Sequence, residues 1–109
     1  MTKVKIEYTL TAKTCVEEIV NFLRMKEMDP KEVIPQILEQ FEGKVSTFPL
    51  GSPYCPELLK FGVTRYRECN VSAGYRVLYS VNEGTVTVHA ILSQRQDIKQ
   101  LLFKRMIQA

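Results

Sequence analysis

The chain has 109 residues, 45% hydrophobic and 25% charged, a length that suits one domain and a balance that excludes a disordered chain. Its net charge of +3, from 15 basic and 12 acidic residues, is a mild basic excess and only weak support for a nucleic-acid or ribosomal partner. No apolar run approaches the roughly 18–20 residues needed to span a bilayer; no apolar core follows Met1–Lys5, so a cytoplasmic location is expected.

Val4, Ile6, Tyr8 and Leu10 alternate with Lys3, Lys5, Glu7 and Thr9, the pattern of an amphipathic strand whose polar face suits a sheet edge. A helix follows. Thr14-x-x-Glu17 reads as its capping box, with Thr11 as a rival N-cap, and Val16, Ile19, Val20 and Leu23 form one apolar face. Asp29-Pro30-Lys31-Glu32 restarts a helix, with Asp29 as N-cap and Pro30 in the first turn. Its stripe is Ile34, Ile37, Leu38, Phe41 and Val45. Pro35 lies within that pattern, so the helix either bends there or starts there. The two helices form a hairpin, and both stripes are expected on one sheet face.

Phe48–Leu59, punctuated by Pro49, Gly51, Pro53 and Pro56, reads as a loop, and Leu58–Gly62 leads into an antiparallel meander over Arg65–Leu92. Gly74 closes its first turn and Asn82-Glu83-Gly84 its second. Tyr75, Val77, Tyr79 and Val81 alternate with Arg76, Leu78 and Ser80. Val86, Val88, Ala90 and Leu92 alternate with Thr85, Thr87, His89 and Ile91. Ser93-x-x-Gln96 then reads as the cap of a last helix, striped by Ile98, Leu101, Leu102 and Met106. The expected fold is a single α+β domain over residues 1–109, ordered β-α-α-β-β-β-α, with a mixed sheet and the hairpin on one side.

Little conventional chemistry is visible. Cys15, Cys55 and Cys69 are too widely spaced for a metal motif and read as reduced structural thiols; no metal or cofactor is expected. The five glycines are isolated and form no phosphate loop. The single histidine, His89, lies mid-strand, where it is either a polar-face residue or a proton carrier. Arg65, Arg67, Arg76 and Arg95 lie among Tyr66, Tyr75 and Tyr79. Such groups suit phosphate binding and base stacking, but composition alone favours a solvated sheet edge with the tyrosines in the core. Strand parity divides them: if Val71 pairs with Tyr75, Arg67 shares a face with Tyr79, while Arg76 turns the other way toward Glu68 or Asn70. A bulge could bring the two arginines together.

Gly74-Tyr75-Arg76-Val77-Leu78-Tyr79, the following Asn-Glu-Gly turn with Thr85–Leu92, and the leading Arg65–Cys69 together resemble the RelE/ParE superfamily of bacterial toxins. The resemblance covers Leu58–Leu102, and more loosely the strand–helix–helix start. It implies a toxin of a type II toxin–antitoxin system with a cognate antitoxin as partner. It also implies one of two targets: DNA gyrase, as for ParE-like members, or messenger RNA on the ribosome, as for the RelE-like endoribonucleases. For an RNase it makes Arg67, Arg76 and Arg95 catalytic candidates, with His89 as a further one. Cys69 and Leu102 stand where RelE-like toxins carry lysine and tyrosine. Ala90–Ile98 is similar to the ParE ending, so the expectation is a gyrase poison, not an enzyme, with Lys104 and Arg105 contacting the target. An mRNA interferase is the alternative, and a non-toxic relative or binding module a third reading.

Overall fold

In the computed structural model, residues 4–71 and 74–93 are described. Their order is β1 (Lys5–Tyr8), α1 (Leu10–Met25), α2 (Pro30–Thr47), a short α3 (Pro56–Leu59), β2 (Arg67–Val71), β3 (Tyr75–Asn82) and β4 (Thr85–Ser93). The four strands form one sheet in the order β1-β4-β3-β2. The meander is antiparallel, and β1 joins it at one edge, parallel to β4. The helical hairpin crosses over to make that parallel pairing. The helix expected after Ser93 lies outside the described residues.

Helix α1 starts earlier than its Thr14 or Thr11 signal. Thr9 is the N-cap, accepting from the Ala12 N–H at 3.1 Å. Leu10 therefore belongs to the helix rather than to the strand, and it is largely exposed. The end of β1 decides this: the Thr9 N–H donates to the Val88 carbonyl of β4 at 3.0 Å, the last bond of the parallel ladder, after which the chain is free to turn. Thr14 instead donates back to the Leu10 carbonyl, a mid-helix habit of threonine. The buried line of α1 is Ala12, Cys15, Ile19 and Leu23, with Val16 and Val20 on its flank.

Helix α2 is capped as expected, with the Lys31 N–H donating to Asp29 at 3.0 Å and Pro30 in the first turn. It neither starts nor stops at Pro35 but runs through it. Ile37, Phe41 and Val45 are its buried line. Phe41 meets Tyr79 edge to face, ring centroids 5.4 Å apart, which places α2 on the sheet face carrying Tyr79.

The hairpin turns follow their residues. Gly74 has φ +77°, and Val71 pairs with Tyr75 across it. Asn82 pairs with Thr85, leaving a two-residue turn in which Glu83 and Gly84 both have positive φ, 48° and 80°, the requirement of a type I′ hairpin. The even alternation expected along β4 does not hold. Leu78 pairs with Ala90 but Tyr79 pairs with Val88, so His89 is the extra residue of a β-bulge. Beyond it Ile91, opposite Val77, joins the face of Val86 and Val88, while Ala90 and Leu92 go to the opposite face with Leu78. All are buried, so this part of the sheet is covered on both sides. On the second face lies α3, inside a stretch that reads as loop.

Candidate functional site

The ladder between β2 and β3 fixes where the arginines go. Arg67 pairs with Tyr79, Glu68 with Leu78 and Asn70 with Arg76. Cross-strand partners share a face and successive residues alternate. Arg67 is therefore on the face packed by α2, and Arg76 is on the other. The bulge leaves them apart, because its extra residue is in β4 and both arginines lie on the two strands beyond it.

Arg76 is held by two carboxylates. Its Nη1 donates to Glu57 Oε1 and to Glu68 Oε1, each at 3.0 Å, and its Nη2 donates to Glu57 Oε2 at 3.2 Å. The Arg76 and Glu68 side chains are only 14% and 10% exposed, and Glu57 is 28% exposed. Burial works against the guanidinium charge, but Glu57 and Glu68 more than offset it, so the Arg76 pKa ends above its ordinary value. Strand parity anticipates Glu68 as a partner of Arg76. It misses Glu57, which α3 delivers. The available signal was Pro56-Glu57 after Cys55, a proline and an acidic residue opening a helical turn.

Cys55, Glu57 and Glu68 bring three potential metal-ligand atoms within 4.8 Å of one another. The donor set does not fit a cation. Arg76 already supplies the positive charge to both carboxylates, and burial raises the Cys55 pKa, which keeps the sulfur protonated and a poor ligand.

Arg67 is equally engaged, in a different task. Its Nη1 donates to the Ser52 carbonyl at 2.7 Å and the Leu50 carbonyl at 3.2 Å, and its guanidinium lies 4.4 Å from the centre of the Tyr54 ring. Tyr79 Oη donates to the Pro49 carbonyl at 2.9 Å. Together they tie the Phe48–Tyr54 loop to the sheet.

His89 sits away from both arginines. Its Nε2 is 2.7 Å from Ser80 Oγ, and Tyr66 meets its ring edge-on at 4.9 Å. Burial, with a smaller contribution from Arg65, lowers its pKa, so the imidazole is neutral at physiological pH. Arg65 lies over the Tyr66 ring at 5.7 Å. Arg95, Lys104 and Arg105 lie outside the described residues. The site residues thus separate into a carboxylate-clamped arginine, a loop-tying arginine and a neutral histidine, with no shared cleft among the described residues.

A cavity of about 620 Å³ lies elsewhere, between the end of α2, the loop after it and β2. No described helix is long and apolar enough to cross a membrane.

Comparison with known proteins agrees with this fold. No curated protein matches the chain. Among solved structures, one similar chain is from the RelBE2 toxin–antitoxin complex of Mycobacterium tuberculosis, 19% identical, with a TM-score of 0.62 over 88% of this chain and 97% of that one. Another is from a chromosomal ParDE toxin–antitoxin system of P. aeruginosa, 12% identical, with a TM-score of 0.65 over 84% and 96%. At such identities the likeness is one of fold. The sequence itself goes further: the model of the ParE toxin family of type II toxin–antitoxin systems, parDE, matches residues 6–98, and the chain belongs to that family.

Proposed function

We propose that this chain is a growth-inhibiting toxin that acts by binding, with DNA gyrase as its target, and that a cognate antitoxin neutralises it. The observation that carries the reading is the engagement of Arg76 by Glu57 and Glu68. An RNA-cleaving site needs a cationic group free to meet the phosphate and a base beside the 2′-OH. Arg76 is spent on two carboxylates and Arg67 on loop carbonyls, on opposite faces of the sheet. Neither guanidinium is poised for a phosphate, and neither is a base, since arginine stays protonated. The ParE family match supports gyrase over the ribosome, and the two similar structures, both from toxin–antitoxin systems, support an antitoxin partner.

One observation favours the RNase alternative. His89 is neutral, bonded to Ser80, and flanked by Tyr66 and Arg65, which are the ingredients of a base beside a stacking surface. Expression of the chain alone in growing bacteria separates the readings. The gyrase reading expects a DNA-damage response with intact messages, and rescue by co-expression of the product of the adjacent reading frame. Rapid loss of messages without DNA damage would promote His89 and its neighbours instead.

A further inference from the structure

Away from the two engaged arginines, a hydroxyl and a base lie within bonding reach of each other. Ser80 Oγ on β3 is 2.7 Å from His89 Nε2 on β4, the separation of a nucleophile and the group that activates it. The regular register does not make this pair, because Ser80 stands opposite Thr87. The bulge makes it. An extra residue bends its strand and re-aims a side chain, and here that residue is His89, between Val88 opposite Tyr79 and Ala90 opposite Leu78. The bulge is held at its backbone, where Thr9 Oγ1 donates to the His89 carbonyl at 3.4 Å. It is also held at its ring, which Tyr66 meets edge-on.

Ser80, His89 and Tyr66 are half-buried, and Arg65 is exposed. A small molecule can therefore reach the pair, while enough water is excluded to keep the imidazole neutral. A neutral imidazole with its proton on Nδ1 has Nε2 as an acceptor for the Ser80 O–H. Arg65 lies over the Tyr66 ring and is near enough for its charge to act on His89. A cation beside a nucleophile is what a developing oxyanion requires, and the Tyr66 ring supplies a flat apolar surface.

We propose that Ser80 and His89 form a nucleophilic dyad that takes an acyl group from a small activated ester, with Arg65 serving the oxyanion and Tyr66 the planar part of the ester. His89 Nε2 takes the Ser80 proton as Oγ bonds to the ester carbon. The tetrahedral intermediate then loses its leaving oxygen, which receives that proton from the imidazolium. The products are an acyl-serine and a free alcohol or phenol. Water, deprotonated by the same imidazole, attacks the acyl-serine, releases the acid and returns Ser80, so the balance needs only ester and water. His89 here serves a hydroxyl of its own chain rather than one of RNA, and the activity rests on neither the gyrase nor the antitoxin reading.

The test mixes the purified full chain with p-nitrophenyl acetate. Release of nitrophenolate gives the rate, and intact mass with peptide mapping gives the acylated residue. The expected result is a single acetyl group on Ser80 of the parent chain. His89→Gln, shown to be folded by its melting curve, should form that adduct about 100-fold more slowly, and Ser80→Ala should not form it. Acetylation of the parent chain at lysines alone, or no acetylation, overturns the proposal without recourse to any variant. A Ser80 adduct that forms in folded His89→Gln at the parent rate overturns it as well, because the hydroxyl would then be reacting without its base.

Discussion

Arg76 is the residue on which the structural and catalytic readings diverge most, and Arg76→Ala separates them. The substitution removes three charge-assisted hydrogen bonds and strands Glu68, whose side chain is 10% exposed, beside Glu57. Removing one partner of a buried pair costs about 3–5 kcal/mol. Glu57 is open enough for water to recover part of that, so a loss of about 3 kcal/mol is the working figure. For a domain of this size about 4 °C of Tm accompanies each kcal/mol, giving a fall of about 12 °C. The control is Arg76→Ala combined with Glu57→Gln and Glu68→Gln, which leaves no charge stranded and should recover about half of the loss. Thermal unfolding of the purified variants measures both, and growth arrest is scored at a temperature where each remains folded. The structural reading expects the folded Arg76→Ala variant to keep its toxicity. A variant that melts within about 2 °C of the parent and no longer arrests growth would refute it, because the guanidinium would then be acting on a target rather than on Glu57 and Glu68.

Thr9→Ala should cost about 1–2 kcal/mol in chemical denaturation, because Thr9 caps α1 and its hydroxyl also reaches the carbonyl of His89 in the bulge; Thr9→Ser should restore most of it, and Thr14→Ala should be close to neutral. Gly84→Ala should destabilise by about 1 kcal/mol through its φ of +80° alone, since a Cβ there meets nothing within 4 Å. His89 has a folded pKa below its unfolded value, so the unfolded chain binds the extra proton. Its contribution to stability is full above the unfolded pKa of about 6.5 and is lost as pH falls through that value toward the folded pKa. Melting curves of the parent and of His89→Gln between about pH 7.5 and 5.5 should therefore converge as the pH drops, and curves that stay parallel would count against the burial of a neutral imidazole.

What was legible in the sequence was what short-range chemistry decides. Asp29-Pro30 set the start of α2, Asn82-Glu83-Gly84 set a hairpin, and the Gly74 turn set the β2–β3 register, from which the opposite facing of Arg67 and Arg76 follows. The failures have tertiary causes. Thr14-x-x-Glu17 is a good local cap, but Thr9 wins because its N–H completes the ladder to Val88 and its side chain can then cap α1. The bulge at His89 is invisible to a period-two reading. Its trace is the unbroken apolar run Ala90-Ile91-Leu92, which no strand with one wet face would carry. Glu57 was hidden because α3 is a single turn among prolines, too short to show a period.

The placement of Glu57 and Glu68 shows how one fold can hold the arginine of a Gly-Tyr-Arg turn inside the molecule. A Gly-Tyr-Arg turn delivers an arginine to a fixed point on the sheet, and the backbone alone decides that. Whether the guanidinium then serves a ligand depends on the residues around it, here one on the neighbouring strand and one on the helical turn that links the hairpin to the meander in sequence. Two carboxylates in hydrogen-bond contact neutralise the charge and fix its geometry, so no phosphate could recruit Arg76 without leaving both acids unpaired in a site largely closed to water, at a cost of several kcal/mol. A weak external anion does not offer that much. The motif therefore reports the position of the side chain in the fold, while the two acids hold the guanidinium and tie α3 to the sheet through it.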